Sequence, residues 1–286
     1  MLICATLFWA GNFVVGKFAF IESIPPFSLA FFRWVLVWLI LIPFTYKEIF
    51  KIQKEILENF PLLFLLGLTS VGLFNSFTYI ALNYTQVINA SLFNTAMPAI
   101  IILLCFLLKI EKTNKFQLIG LVISVIGILS IITKLNLNTL LALNFNKGDI
   151  LMIGGVITWG IYSVFLKKIK FKVSLITLVH ILCTFGLLFL IPQFLYEFSL
   201  SKTVAFNNNF IYILIYLALF PSIGSYYCWA GAVSIIGANR AGIFLSLIPL
   251  FSTIFAIIFF NEEFKFYHVI GSILIVIGLF LSNKKI

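Results

Sequence analysis

Apolar runs close to twenty residues long follow one another from Leu2 almost to the end of the chain, broken only by short segments that hold most of the charge. A run of that length crosses the ~30 Å hydrocarbon layer of a bilayer as a single helix. Inside that layer every backbone N–H and C=O must find a partner within the protein, which leaves such a run little alternative to a helix. Composition agrees: 62% of the 286 residues are hydrophobic, 10% are charged, and the mean hydropathy is +1.16. Soluble domains lie near ~45–50% apolar and ~25% charged, so a water-soluble enzyme, a disordered chain and a disulfide scaffold are excluded. The chain reads as an all-α integral membrane protein.

Ten spans are expected, at about residues 2–20, 27–44, 59–82, 87–108, 115–133, 148–166, 173–195, 209–232, 236–260 and 265–282. No basic segment or small-residue cleavage site accompanies the first run, so it reads as a retained helix. Between the second and third spans, Ile49, Ile52 and Ile56 share one helical face, while Lys51/Glu55 and Lys54/Glu58 are spaced i,i+4 on the other. That segment, 45–58, reads either as a short helix on the membrane surface or as a solvated connector. Cys4, Cys105, Cys183 and Cys228 are scattered without CxxC spacing and read as small buried hydrophobes.

The net charge of +10 reports on topology. Thirteen of the nineteen Lys and Arg fall in the connectors of one side if the N-terminus is cytoplasmic. Five (Lys17, Lys134, Lys147, Lys202 and Lys265) fall on the other, and Arg33 lies within a span. That bias places both termini in the cytoplasm, with the chain in the inner membrane and no claim on nucleic acid.

The two halves resemble each other at an offset near 150 residues. Trp9 through Lys17 matches Trp159 through Lys167, Pro43 matches Pro192, Pro98 matches Pro249, and Glu111 matches Glu262. Gly120 and Gly127 match Gly271 and Gly278. Five helices per half is an odd number, so the second copy must enter from the opposite side, giving two inverted five-helix repeats. The first repeat is expected at 1–133, a linker at 134–147, and the second at 148–286.

These residues carry a family resemblance. Trp9 before Lys17, Pro26 before Arg33-Trp34, Pro98 before Glu111, and Ala238-Asn239-Arg240-Ala241 before Leu247-Ile248-Pro249 and Glu262 resemble EamA-type members of the drug/metabolite transporter superfamily. The resemblance covers nearly the whole chain. It departs at Ala10, where the family usually has Gly, and at Lys112, which stands opposite the acidic Glu263 of the other half. It implies a ten-helix inner-membrane carrier of small metabolites, often an exporter of amino acids or related compounds.

Polar groups inside hydrocarbon are costly and need partners or a watery cavity. Asn12, Arg33, Asn75, Tyr79, Asn94, Trp159, Tyr162 and Tyr226 are the candidate substrate-binding residues, with Asn89, Ser163, Tyr227, Trp229 and Asn239 as further polar or aromatic wall positions. Amides and aromatic walls with polar edges suit a small organic solute with an apolar part and an amine or carboxylate. Arg33 cannot shed its proton, so it must meet a carboxylate, carbonyls, water or an anionic solute group, unless it snorkels to the span's end. His180 is the one group in a span interior that titrates near neutral pH, and it could pass a proton or simply donate to a carbonyl. Pro98 and Pro249 each free a helical carbonyl and are candidate hinges. The glycine pairs, two turns apart, offer smooth strips for helix contact inside the bundle or between two copies in a homodimer.

No Asp or Glu falls in the interior of an expected span, which argues against carboxylate-based proton antiport. With two His, no GxSxG and no HExxH, the chain is not expected to be an enzyme or to hold a metal or cofactor. The expected function is alternating-access transport of a small-molecule substrate within the lipid bilayer; a membrane receptor or scaffold is the alternative.

Overall fold

The computed structural model describes residues 1–108, 115–136, 146–236, 241 and 244–282. Expectations resting on Glu111, Lys112, Asn239, Arg240 and most of the 134–147 linker lie outside them, as does the side chain of Cys105. Among the described residues the chain is all helix, without strands. Seven helices are long and apolar enough to cross a membrane: α1 (Leu2–Ile21), α2 (Pro26–Lys51), α3 (Phe60–Ala81), α4 (Val87–Leu104), α6 (Lys147–Leu166), α7 (Leu175–Ser199) and α8 (Asn208–Ile236). Three further apolar helices are shorter: α5 (Lys115–Ile132), α9 (Leu247–Phe260) and α10 (Phe266–Ser282).

Local chemistry sets the ends. Pro26 opens α2 at its first position, where a missing N–H costs nothing. Asn146, Ser174 and Asn207 each turn a side-chain oxygen to an otherwise orphan N–H at the starts of α6, α7 and α8. At the far end of α2 the 45–58 segment is helical, with its isoleucine face turned inward. The helix continues through Lys51, turns at Ile52, and resumes as Gln53–Glu58. Ile52 is buried, and Ile49 and Ile56 pack on the core, so the isoleucine face holds the segment to the bundle.

The most extensive helix pairings cross the chain's midpoint. α1 packs on α8 and α9, α6 on α3 and α4, α2 on α7, and α5 on α10. Two approaches are so close that only glycine fits. A Cβ on Gly67 would lie 2.7 Å from the Leu182 carbonyl and 3.0 Å from the Gly186 nitrogen, joining α3 to α7. One on Gly127 would lie 2.8 Å from the Gly271 carbonyl, joining α5 to α10. This part of the glycine strip is therefore occupied within one chain.

α2 and α7 run antiparallel and clamp each other at both ends. Glu197, near the end of α7, accepts from the Phe27 N–H (3.1 Å), the Ser28 N–H (2.7 Å) and the Ser28 hydroxyl (2.9 Å) at the start of α2. Glu48, near the end of α2, accepts from the Ser174 N–H and from the Ser174 and Thr177 hydroxyls at the start of α7. A carboxylate at a helix start meets orphan N–H groups and the positive end of the dipole.

Two irregularities also occur as pairs. α3 widens into a π-helical segment at Leu68–Leu73 and α8 into one at Ala218–Gly224. A 3₁₀ turn, Phe93–Ala96, interrupts α4 just before Pro98, and another, Phe244–Ser246, precedes α9 just before Pro249. The two prolines thus start α-helical segments after tight turns instead of kinking unbroken helices.

Candidate functional site

The π segments position the site. Widening a helix leaves carbonyls without their usual N–H, and side chains from neighbouring helices take them up. In α3, Asn75 Nδ2 donates to the Ser70 (3.1 Å) and Val71 (2.9 Å) carbonyls, and the Tyr226 hydroxyl crosses from α8 to the Ser70 carbonyl (2.7 Å). In α8, the Pro221 carbonyl accepts from Trp9 Nε1 of α1 (3.1 Å), and the Ser222 hydroxyl donates back to the Leu217 carbonyl (2.7 Å).

Arg33 ties these segments together. It is 1% exposed, so it does not snorkel. Its Nε donates to the Ser222 hydroxyl oxygen (2.6 Å), and its Nη1 faces Asn12 Oδ1 (2.8 Å), Asn75 Oδ1 (2.9 Å) and the Tyr79 hydroxyl. Tyr79 donates in turn to Asn12 Oδ1 (3.0 Å). Every partner is neutral. An ion taken into a protein interior costs several kcal/mol unless hydrogen bonds and an opposite charge answer it. Here hydrogen bonds and the faces of the Trp34 (5.2 Å) and Tyr79 (5.9 Å) rings are supplied, but no opposite charge among the described residues.

Beside this cluster lies an aromatic box. The Trp159 ring sits 5.1 Å from Trp9, 5.0 Å from Phe74, 5.0 Å from Tyr162, 5.4 Å from Tyr226 and 6.2 Å from Trp229. Trp34 joins through Tyr226 at 5.2 Å. Between the box and the Arg33 cluster is a cavity of about 10 Å³ lined by Trp9, Asn12, Phe13, Phe74, Asn94, Met97, Trp159, Leu245 and Ile248. That is room for roughly one water. Both amide atoms of Asn94 and Nε1 of Trp34, Trp159 and Trp229 are buried without a hydrogen-bond partner among the described residues.

Of the larger pockets, one of 580 Å³ lies by Glu48, Lys51 and Ser174, and two others open at opposite ends of α6. One, 420 Å³, lies by Leu166, Phe171, Leu175 and Val233; the other, 470 Å³, lies by Lys17, Thr85, Lys134, Asp149 and Lys265. The twenty residues of α6 rise about 30 Å between them, with Trp159 and Tyr162 partway along.

Asn12, Arg33, Asn75 and Tyr79 are thus in direct contact, Asn94 shares the cavity with Asn12 and Trp159, and Tyr162 and Tyr226 belong to the box. Other expectations are corrected. Tyr227 is 43% exposed and faces outward. Asn89 Oδ1 accepts from His268 Nε2 (2.7 Å), whose Nδ1 accepts from the Lys265 N–H, near the pocket by Lys265. His180 Nδ1 meets the Thr45 hydroxyl, which itself donates to the Leu41 carbonyl (2.8 Å), so the ring nitrogen is the donor and the histidine ties α7 to α2. Cys183 is buried as expected, but Cys4 is exposed. Ser222 was not among the expected residues, although Pro221-Ser222 inside an apolar run is a visible polar interruption.

An apolar multi-pass helical bundle with a buried polar and aromatic centre between two end pockets defines a membrane transporter. Comparison with known proteins narrows the class. The EamA-like transporter family matches residues 1–133 and again 146–284, and the chain belongs to that family. An uncharacterised transporter of Archaeoglobus fulgidus is 31% identical over 286 residues, covering 100% of this chain and 96% of the relative. The uncharacterised transporter YyaM of Bacillus subtilis is 26% identical, covering 100% and 93%. A solved crystal structure of a protein at 15% identity superposes with a TM-score of 0.62 over 99% of this chain and 94% of the other, a likeness of fold. Family and relatives point to a transporter rather than an enzyme.

Proposed function

We propose that the protein carries small metabolites, amino acids or related compounds, by alternating access around the cavity between Asn12, Asn94 and Trp159. The observation that carries this reading is the placement of that cavity. It is nearly closed, lined by unspent hydrogen-bonding groups, and sits between two open pockets at opposite ends of α6. A receptor or scaffold has no need of a buried charge beside a closed cavity placed between two open end pockets.

The ten helices form two inverted repeats, 1–133 and 148–286, exchanging which end is open. Support comes from the double family match, from the paired π segments and 3₁₀ turns, and from the reciprocal clamps of α2 and α7. Asn12, Arg33, Asn75, Tyr79, Asn94, Trp159, Tyr162 and Tyr226 form the binding region. The tight turns before Pro98 and Pro249 serve as hinges, because a break in the hydrogen-bond ladder is where a helix bends at least cost. The positive-inside bias puts both termini in the cytoplasm of an inner-membrane protein, and export is the working direction. The exposed glycine-helix faces remain a candidate contact for a second copy.

The test is flux of a broad panel of labelled amino acids and related metabolites from liposomes holding the purified chain. Movement absent from protein-free liposomes and lost in Trp159→Ala is expected. A panel in which no compound moves would refute the carrier.

A further inference from the structure

Accepting the carrier reading, we infer that its solute is a small organic carboxylate of net negative charge with an apolar or aromatic body, and that the membrane potential drives its exit. The site is one-sided in charge and in hydrogen bonding. Among the described residues, Arg33 is the one charged group in the central cluster, and no carboxylate lines the cavity. Its Nη2 donates to no protein atom among the described residues, while Nη1 faces three oxygens.

The unspent groups lean the same way. Of the unpartnered groups, those lining the cavity are Trp159 Nε1, which can only donate, and the Asn94 amide; Trp34 and Trp229 add indole donors outside that lining, and the Thr78, Ser163 and Ser252 hydroxyls can donate or accept. The amide oxygens of Asn12 and Asn75 are already taken by Arg33, which leaves Asn94 Oδ1 as the one free amide acceptor at the site among the described residues. An ammonium entering here would find aromatic ring faces and the Asn94 oxygen, but also the nearby positive charge of Arg33 with no carboxylate among the described residues to offset it. A carboxylate would find donors in excess and a counter-charge one side chain behind Asn12. In a site of low dielectric that field is felt through an intervening residue. The aromatic box accommodates the rest of the solute.

The pocket by Asp149 continues the bias, with Lys17, Lys134 and Lys265 lining it against one aspartate. Lys17 also donates to the Leu82 and Thr85 carbonyls, and Lys265 pairs with Glu263 at 3.6 Å. Since the counter-charge belongs to the protein and stays with it, the solute crosses as net negative charge. A cell interior held negative then pushes it outward, at roughly tenfold in equilibrium concentration ratio per 60 mV.

Three probes with a common aromatic body separate the charges: phenylpyruvate, phenylalanine, and the trimethylammonium analogue of phenethylamine. Each is loaded into liposomes holding the full-length protein, with the potential set by potassium gradients and valinomycin. Phenylpyruvate efflux at least tenfold above the cation is expected, accelerated by an inside-negative potential and slowed when the sign is reversed. Arg33→Gln should erase the discrimination and Arg33→Lys should retain part of it. Equal flux of all three probes, or phenylpyruvate flux indifferent to potential, overturns the inference. If other panel compounds still move, the carrier reading survives that result; if nothing moves, both fall.

Discussion

The Arg33 cluster and the two carboxylate clamps on α2 and α7 solve the same problem in opposite ways. Glu48 and Glu197 each bring a negative charge to the start of a neighbouring helix, where N–H groups, hydroxyls and the helix dipole complete it. Arg33 brings a positive charge to neutral oxygens and two aromatic rings, with no opposite charge among the described residues, and stays 1% exposed. The clamps are finished interactions whose energy belongs to the folded state. The Arg33 cluster is unfinished, and an incoming solute is what can complete it. Substitution should therefore separate the two. Arg33→Gln is expected to lower solute flux by about a hundredfold, which corresponds to about 2.7 kcal/mol of lost transition-state stabilisation. Melting in detergent should shift little, since removing an uncompensated buried charge relieves a cost. Loss of flux together with collapse of the fold would make Arg33 a structural residue and dissolve the contrast.

The clamps should respond the other way. Glu197→Gln removes a buried charge that accepts three hydrogen bonds, and is expected to cost about 2–3 kcal/mol of stability. Flux per correctly folded molecule should remain within about twofold of the parent, a margin set by about 0.4 kcal/mol. Thermal unfolding and flux measured on one preparation decide it. A large fall in flux without loss of stability would show that the clamp acts in the transport cycle.

The same contrast explains what the sequence makes legible. Asn12, Arg33, Asn75 and Tyr79 stand out because a lone polar residue in an apolar run is costly and must be answered, whatever the fold. The clamps are less visible. Glu48 and Glu197 look like ordinary helix-end charges, and their partners lie 126 and 169 residues away. The π segments carry only faint signals, Thr69-Ser70 in one and Pro221-Ser222 in the other, and their hydrophobicity matches that of any span. Missing them meant missing Ser222. His180 misled for a related reason: its chemistry permits proton transfer, but its use is set by Thr45, 135 residues away. Fold class was legible because it follows from bulk hydrophobicity; the detailed site depends on contacts between helices that no local pattern encodes.

Packing gives the next smaller effect. Gly67→Ala would press a methyl group against the Leu182 carbonyl and the Gly186 backbone, where neither can yield without moving α7. A cost of about 1–3 kcal/mol in unfolding free energy is expected. Gly127→Ala should cost a similar amount at the α5–α10 contact. Both belong on the clamp side of the comparison, with stability falling and solute preference unchanged. An altered preference in either variant would mean that these helix contacts shift during transport.

Tyr226→Phe tests the border between the two regions, because its hydroxyl is bonded to the π segment of α3 while its ring belongs to the aromatic box. The ring survives the substitution, so the box keeps its shape. What is lost is the hydrogen bond to the Ser70 carbonyl, worth about 1 kcal/mol, although Asn75 Nδ2 still donates to the same oxygen. That second donor is why the effect should be the smallest of the set. Stability should fall by no more than about 1 kcal/mol, and flux by no more than about fivefold, the factor that 1 kcal/mol supplies. A much larger drop in flux at nearly unchanged stability would place the Tyr226 hydroxyl with Arg33, as a group whose chief partner is the solute.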